Sequence, residues 1–143
     1  MAEVVTCRSC QRRNRVPAVA SGRPRCGACQ TDLPWLVSAT DADLQAVVLD
    51  SSLPVLVDLW APWCAPCRTI SPALERIATE RAGRLKLVKI NVDENPAAQA
   101  RFQASSVPTL VLLRHGQVVS LRRGALPYPL LNSWVTTSLQ REA

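Results

Sequence analysis

Six cysteines and one acid on an apolar run carry most of the chemistry these 143 residues could perform. Cys64 and Cys67 lie in Trp60-Ala61-Pro62-Trp63-Cys64-Ala65-Pro66-Cys67, between an apolar run at 53–59 and a helical pattern at 68–81. A Cys-x-x-Cys pair at a strand-to-helix junction is a signature of a redox dithiol, with a zinc knuckle or a structural disulfide as the alternatives. Cys64 would sit at the helix N-terminus, where exposed N–H groups and partial positive charge favour the nucleophilic thiolate. Cys67 would come one turn later on the same face, within reach of a disulfide. Pro66 suits a first turn, where its missing N–H is no loss, and Pro72 falls inside the helix and should kink it.

The other four cysteines form two pairs, Cys7-Arg8-Ser9-Cys10 and Cys26-Gly27-Ala28-Cys29, with fifteen residues between them. That spacing fits a four-thiolate zinc site, against two disulfides or a disordered arm with reactive thiols. Gly27 would serve a tight knuckle turn and Ser21-Gly22 a turn between the pairs. Six arginines and a single acid fall in residues 1–31, whereas basic and acidic residues nearly balance in the remainder of a chain of net charge +6. Arg8, Arg12, Arg13, Arg15, Arg23 and Arg25 would offset the negative charge of four thiolates around Zn2+. The basic arm has no aromatic residue on which a base could stack, which disfavours nucleic acid as a partner. A segment so short cannot bury enough surface to fold alone, so the metal would be its core.

The apolar run at 53–59 is continuous rather than alternating, as in a strand buried on both faces of a parallel sheet. Asp58 lies in its middle, where an ionised carboxylate is costly and its pKa should rise. Such a group could take a proton from Cys67, or be a hydrogen-bonded structural acid. Thr31 to Pro34 reads as a linker, and Trp35-Leu36-Val37-Ser38 as a first strand. Thr40 would cap a helix with Asp41 and Asp43 at its positive end and Leu44, Val47 and Val48 facing inward. Strands follow at 85–92, 107–113 and 118–121, with a helix opened by Asp93-Glu94-Asn95-Pro96. A turn lies at Arg114-His115-Gly116-Gln117, and Gly124 ends the strand region. A last helix at 127–140 should turn Leu130, Leu131, Trp134, Val135 and Leu139 inward. The order β-α-β-α-β-α-β-β-α requires a partly parallel, partly antiparallel α/β sheet.

No apolar stretch approaches the roughly 20 residues of a membrane span. The N-terminus lacks the basic-then-apolar pattern of a secretory signal, which makes a reducing cytoplasmic setting the expectation. No Gly-rich phosphate loop is present, so no bound organic cofactor is expected. His115, the single histidine, reads as a surface residue, which makes Cys-His proteolysis a poor fit.

Trp60 to Cys67 resembles the active site of the thioredoxin family, and the resemblance extends over roughly residues 34–143. The four N-terminal cysteines narrow it to zinc-ribbon thioredoxins of the thioredoxin-2 type, with a ribbon at 1–31 and a thioredoxin domain at 34–143. The family motif usually has Gly where this chain has Ala65. The resemblance implies a thioredoxin fold, a mixed sheet flanked by helices, and a protein-disulfide reductase cycling Cys64 and Cys67. It implies oxidised protein substrates and an NADPH-fed thioredoxin reductase as electron donor. Asp58 matches the family's buried acid and Lys89 its charge partner on the adjacent strand. A cis Val107–Pro108 bond, Trp63 and Gly124 are implied at the substrate groove, with Trp60 packed beneath the dithiol. The alternatives are an oxidising or isomerising enzyme on the same fold, a zinc-based redox sensor or binding module with an accessory thioredoxin domain, and a nucleic-acid-binding ribbon.

Overall fold

The computed structural model describes residues 3–20 and 22–141. Its centre is a five-stranded sheet of order β3-β5-β4-β6-β7, with β3 Trp35–Ser38, β4 Val55–Trp60, β5 Lys86–Asn91, β6 Thr109–Arg114 and β7 Gln117–Arg123. β3, β5 and β4 run parallel; β6 is antiparallel to β4, and β7 to β6. This is the mixed sheet that the alternation of elements demanded. The β6–β7 turn places His115 and Gly116 both at positive φ, as a two-residue hairpin needs.

The period of two along β4 divides the core. Val55, Val57 and Leu59 belong to an apolar cluster with Val47, Val48 and Phe102. Leu56 points the other way, to a cluster with Ile70, Leu74 and Ile77 of α1 (Ala65–Glu80) and Leu131 and Val135 of α3 (Tyr128–Arg141). Asp58 shares the parity of Leu56 and so faces α1. α1 runs through Pro72, whose missing N–H leaves the Arg68 carbonyl without its helical donor. In α3 the inward set holds except at Leu130, which is exposed because it lies one residue off the Leu131–Trp134–Val135 stripe.

The helix expected after Thr40 is reduced to turns and a π-helical segment, Gln45–Leu49, closed by Asp50 N–H donating to the Gln45 carbonyl at 2.8 Å. Long-range bonds explain the change. The Asp41 carboxylate does not serve its own helix: it accepts from the Ala97 and Ala98 N–H groups at 2.9 and 2.8 Å, capping α2 (Pro96–Arg101) from 56 residues away. The Val47 carbonyl, in turn, is taken by the Lys86 ammonium.

The cysteine-rich segment forms a hairpin, β1 Glu3–Thr6 with β2 Arg13–Val16, that the cysteine spacing alone did not reveal. Its two knuckles repeat the same bonds. Cys7 N–H donates to Arg12 O and Gln11 N–H to Cys7 O; Cys26 N–H donates to Thr31 O and Gln30 N–H to Cys26 O, all at 2.8–2.9 Å. The left-handed residues are Gln11 and Gln30, after each second cysteine, and not Gly27, whose N–H instead donates to Asn14 Oδ1. Gly22 has positive φ, while Ser21 lies outside the described residues. The stretch at 31–34 is no loose linker: Asp32 pairs with Arg23 at 2.8 Å and Leu33 is buried.

The ribbon does not rely on a metal alone for its core, because Cys7, Val16, Ala18 and Cys26 join the same apolar cluster as Trp35 and Val37. Two polar side chains fasten the seam. Trp35 Nε1 donates to Pro17 O at 2.8 Å, and Lys86 Nζ donates to Ala18 O at 2.5 Å and Val47 O at 2.6 Å, over the Trp35 ring. Lys86 is 1% exposed, and its burial pushes its pKa down to about 8, against the opposing pull of Asp43. Between that value and the ordinary 10.5 the unfolded chain binds more protons than the folded one. This group therefore adds stability as pH rises through the window, roughly 1–3 kcal/mol in all. Urea unfolding of the wild type and of Lys86→Met between pH 8 and 10.5 should show the difference in slope; parallel curves would contradict it.

Candidate active site and metal centre

β4 ends at Trp60, and the chain turns through Ala61 to Trp63 into α1. Cys64 is the N-cap, in extended conformation, and its Sγ accepts the Cys67 N–H at 3.2 Å. Ala65 begins the helix and Pro66 is next, which puts Cys64 at the helix terminus and the dithiol on the first turn, as the sequence predicts. Cys64 and Cys67 are joined as a disulfide with Cα atoms 5.3 Å apart, and both are buried. In the reduced form the same N–H donor and helix terminus would favour a thiolate at Cys64. Arg68 Nη1 donates to Pro62 O at 2.7 Å and ties the loop to the helix.

Asp58 is 1% exposed, and no hydrogen bond reaches its buried Oδ1 among the described residues. Burial pushes its pKa up to about 6, with Lys89 pulling the other way. Lys89 is its register partner on β5, so the two side chains lie on one face of the sheet. Asp58, Trp60, Cys67, Arg68, Ser71 and Lys89 line one cavity of about 130 Å3. A space of that size, with Asp58, Ser71 and Lys89 on its wall, has room for water, through which a proton can pass between Asp58 and Cys67.

The remaining groove candidates gather at the same end of the sheet. Leu59, next to the end of β4, pairs with Thr109 at the start of β6, and Thr109 pairs with Arg123 at the end of β7. The peptide before Pro108 is cis, as the resemblance implied. Gly124, at positive φ, donates its N–H to Pro108 O at 3.0 Å. Among the described residues neither the N–H nor the carbonyl of Val107 has a hydrogen-bond partner, so both are open to an extended chain. Trp63 is 69% exposed beside Cys64, and its Nε1 donates to Asp93 Oδ2 at 3.1 Å. Asp93 reads in the sequence only as a helix opener; no local signal could link it to a tryptophan thirty residues earlier. Ser71 and Glu75 carry no pattern that marks them as functional, although they stand one and two turns beyond Cys67, at a spacing that puts them on its face of α1.

At the other centre, the Sγ atoms of Cys7, Cys10, Cys26 and Cys29 lie within 4.8 Å of one another, with Cys7–Cys29 at 3.6 Å and Cys10–Cys26 at 3.5 Å. Four thiolates about 2.3 Å from one zinc stand about 3.8 Å apart, so the donor set and its spread fit a tetrahedral metal. The Cys29 N–H, then the Ala28 N–H and the Asn14 amide, lower the Cys26 pKa to about 6. A thiolate is therefore favoured at Cys26, while at Cys10 the pull of the Arg12 N–H is outweighed by hydrogen bonds with Cys26 and Cys29 that raise its pKa, so without a metal the four sulfurs share protons unevenly.

Comparison with known proteins agrees with this geometry. The family model described as Thioredoxin matches residues 35–137. A thioredoxin of Haemophilus influenzae is 50% identical over 95 residues, 66% of this chain and 89% of the relative. Thioredoxin 1 of a Nostoc species is 45% identical over 65% of this chain and 87% of its own length. A thioredoxin of Streptomyces clavuligerus is 49% identical over 64% and 85%. The match begins at the first strand of the five-stranded sheet and leaves the cysteine ribbon outside it. Near-half identity along most of each relative, on a sheet that delivers a Cys-x-x-Cys disulfide to a helix cap, means that this chain belongs to the thioredoxin family and is a thiol–disulfide oxidoreductase, with a four-cysteine ribbon ahead of its sheet that is consistent with the thioredoxin-2 type.

Proposed function

We propose that the chain is a cytoplasmic protein-disulfide reductase. The observation that carries this reading is the Cys64–Cys67 disulfide at the cap of α1, sharing its surroundings with a buried acid one of whose oxygens has no partner among the described residues. The Cys64 thiolate attacks one sulfur of a substrate disulfide. The other substrate sulfur leaves with the bonding electron pair and takes a proton. The Cys67 thiol of the resulting mixed disulfide passes its proton to Asp58. The new thiolate attacks Cys64 Sγ, and the second substrate sulfur departs as thiolate. The substrate gains two electrons and the enzyme keeps the Cys64–Cys67 disulfide. A thioredoxin reductase would return the electrons. Trp63, Val107, the cis Pro108 and Gly124 form the groove for an extended substrate segment, and Lys89 tempers the charge of Asp58. No helix among the described residues is long and apolar enough to cross a membrane, which is compatible with this setting.

Residues 34–143 act as the redox domain and residues 1–31 as a zinc ribbon held by Cys7, Cys10, Cys26 and Cys29. Zinc there would cross-link the two knuckles as a structural ion. Exposure of Cys10 and Cys29 supports a second reading, in which oxidation of the ribbon senses the redox state. Peroxide titration of the reduced protein separates the two. Zinc released before Cys64 and Cys67 oxidise favours the sensor, and zinc retained throughout favours the structural role.

NADPH-coupled reduction of a protein disulfide such as insulin tests the main reading. Asp58 works as a base only when ionised, so the resolving step should slow as pH falls through about 6. Asp58→Asn should flatten that limb and slow resolution by about 10–100-fold at pH 7. An unchanged profile would remove Asp58 from the proton transfer.

Metal analysis of protein purified with zinc present should find one equivalent per chain. Stripping it should lower Tm by roughly 10 °C, while the isolated Cys64–Cys67 couple continues to cycle. Protein that holds no zinc after reconstitution would overturn the assignment of the four cysteines.

A further inference from the structure

The Lys89 ammonium stands where two acids can claim it. Asp58 is its neighbour across the β4–β5 register. On the other side, Lys89 Nζ donates to Ser71 Oγ at 3.5 Å and lies 4.0 Å from Glu75 Oε2. Ser71 and Glu75 are one and two turns along α1 from Cys67, so the helix that carries the resolving cysteine also carries the groups that engage the lysine. Lys89 makes no salt bridge with Asp58, whose Oδ1 remains without a partner among the described residues. Lys89 also forms the boundary between two spaces. One is the cavity it shares with Asp58 and Cys67; the other is an open groove bordered by Glu3 of β1, Ser38 of β3 and Glu75.

We propose that Glu75, assisted by Ser71, is a positioning residue for the proton transfer: it draws the Lys89 ammonium toward the groove and so keeps Asp58 free to accept the proton of Cys67. This rests on the reading of Asp58 as the base. A lysine drawn fully onto Asp58 would hold the carboxylate ionised and hydrogen-bonded, a weaker proton acceptor. An acid near the lysine offsets that pull through both position and charge. The charged or titratable groups facing Asp58 are Lys89 from β5 and Cys67 and Arg68 from α1; β6 contributes the apolar Leu110 as its register partner. Those facing Lys89 are Asp58, Glu75 and, across the groove, Glu3. The Lys89–Glu75 pair is partly solvated, so its direct contribution to stability is small, and its consequence is to be read at Asp58.

The test is the carboxyl titration of Asp58, followed by 13C NMR in the full oxidised protein, alongside the pH profile of the resolving step. Glu75→Gln should lower the Asp58 midpoint by roughly half a unit and move the acid limb of the profile down with it. Glu75→Asp keeps the charge and should return the midpoint toward the wild-type value. An Asp58 midpoint that stays in place in Glu75→Gln, while Asp58→Asn still abolishes the limb, would overturn the role of Glu75 and leave the base intact. A profile unaffected by Asp58→Asn would overturn the base itself and with it this proposal. A midpoint that moves equally in Glu75→Gln and Glu75→Asp would point to altered helix packing and would also overturn it.

Discussion

A carboxylate on a strand closed to water sets the terms for the redox site. β4 is covered on both faces, so Asp58 cannot relax toward solvent, and its Oδ1 has no hydrogen bond among the described residues. Its proton affinity is raised by that environment and moderated by Lys89. The same strand fixes where the dithiol goes. It ends at Trp60, and the helix that must cover its face begins at Ala65, with Cys64 as the cap. Base and resolving thiol come from one strand–helix unit, and the packing that buries the acid also orients the cysteines.

Polar groups buried elsewhere in the molecule obey a different logic. Lys86 and Lys89 lie on one strand but point to opposite faces. Lys89 faces the acids of the redox site, whereas Lys86 meets only carbonyl oxygens and a tryptophan ring. With Asp43 acting only from beyond ion-pair distance, Lys86 satisfies its protons on Ala18 of the ribbon and Val47 of the π-helical segment, and so ties three parts of the chain together. Asp41 does the same for α2, giving its oxygens to a helix that has no capping side chain of its own. The ribbon is thus seated by a shared apolar core and a pair of buried polar bonds, independently of whatever the four thiolates hold.

The two centres use sulfur in opposite ways. At Cys64 and Cys67 the helix terminus favours a thiolate that must remain reactive. In the ribbon, the Ala28 N–H and the Asn14 amide donate to Cys26, one of four sulfurs whose spacing suits a shared metal. Both arise from short Cys-x-x-Cys turns. They differ in how the chain continues past the second cysteine: into a long helix in one case, through a residue in left-handed conformation in the other.

Local pattern and spacing were enough to read the five strands of the main sheet and the helices after β4, the two-face burial of β4, the dithiol, the four ribbon cysteines and the raised proton affinity of Asp58. Each of these depends on residues close in the chain or on a strand's own apolar character. The cis bond at Pro108 and the pairing of Asp58 with Lys89 came from resemblance, since no single-chain pattern specifies them. What failed depends on partners far away. The helix after Thr40 gave way because Asp41 and Val47 found better partners in α2 and Lys86. The segment at 31–34 became part of the core because Leu33 had a surface to bury against. Asp93 beside Trp63, and Ser71 and Glu75 beside Lys89, became visible only when strands and helices distant in sequence met. Sequence determined which groups could do chemistry; tertiary structure decided which of them meet, because hydrogen bonds and buried charges are satisfied in space, whatever the distance along the chain.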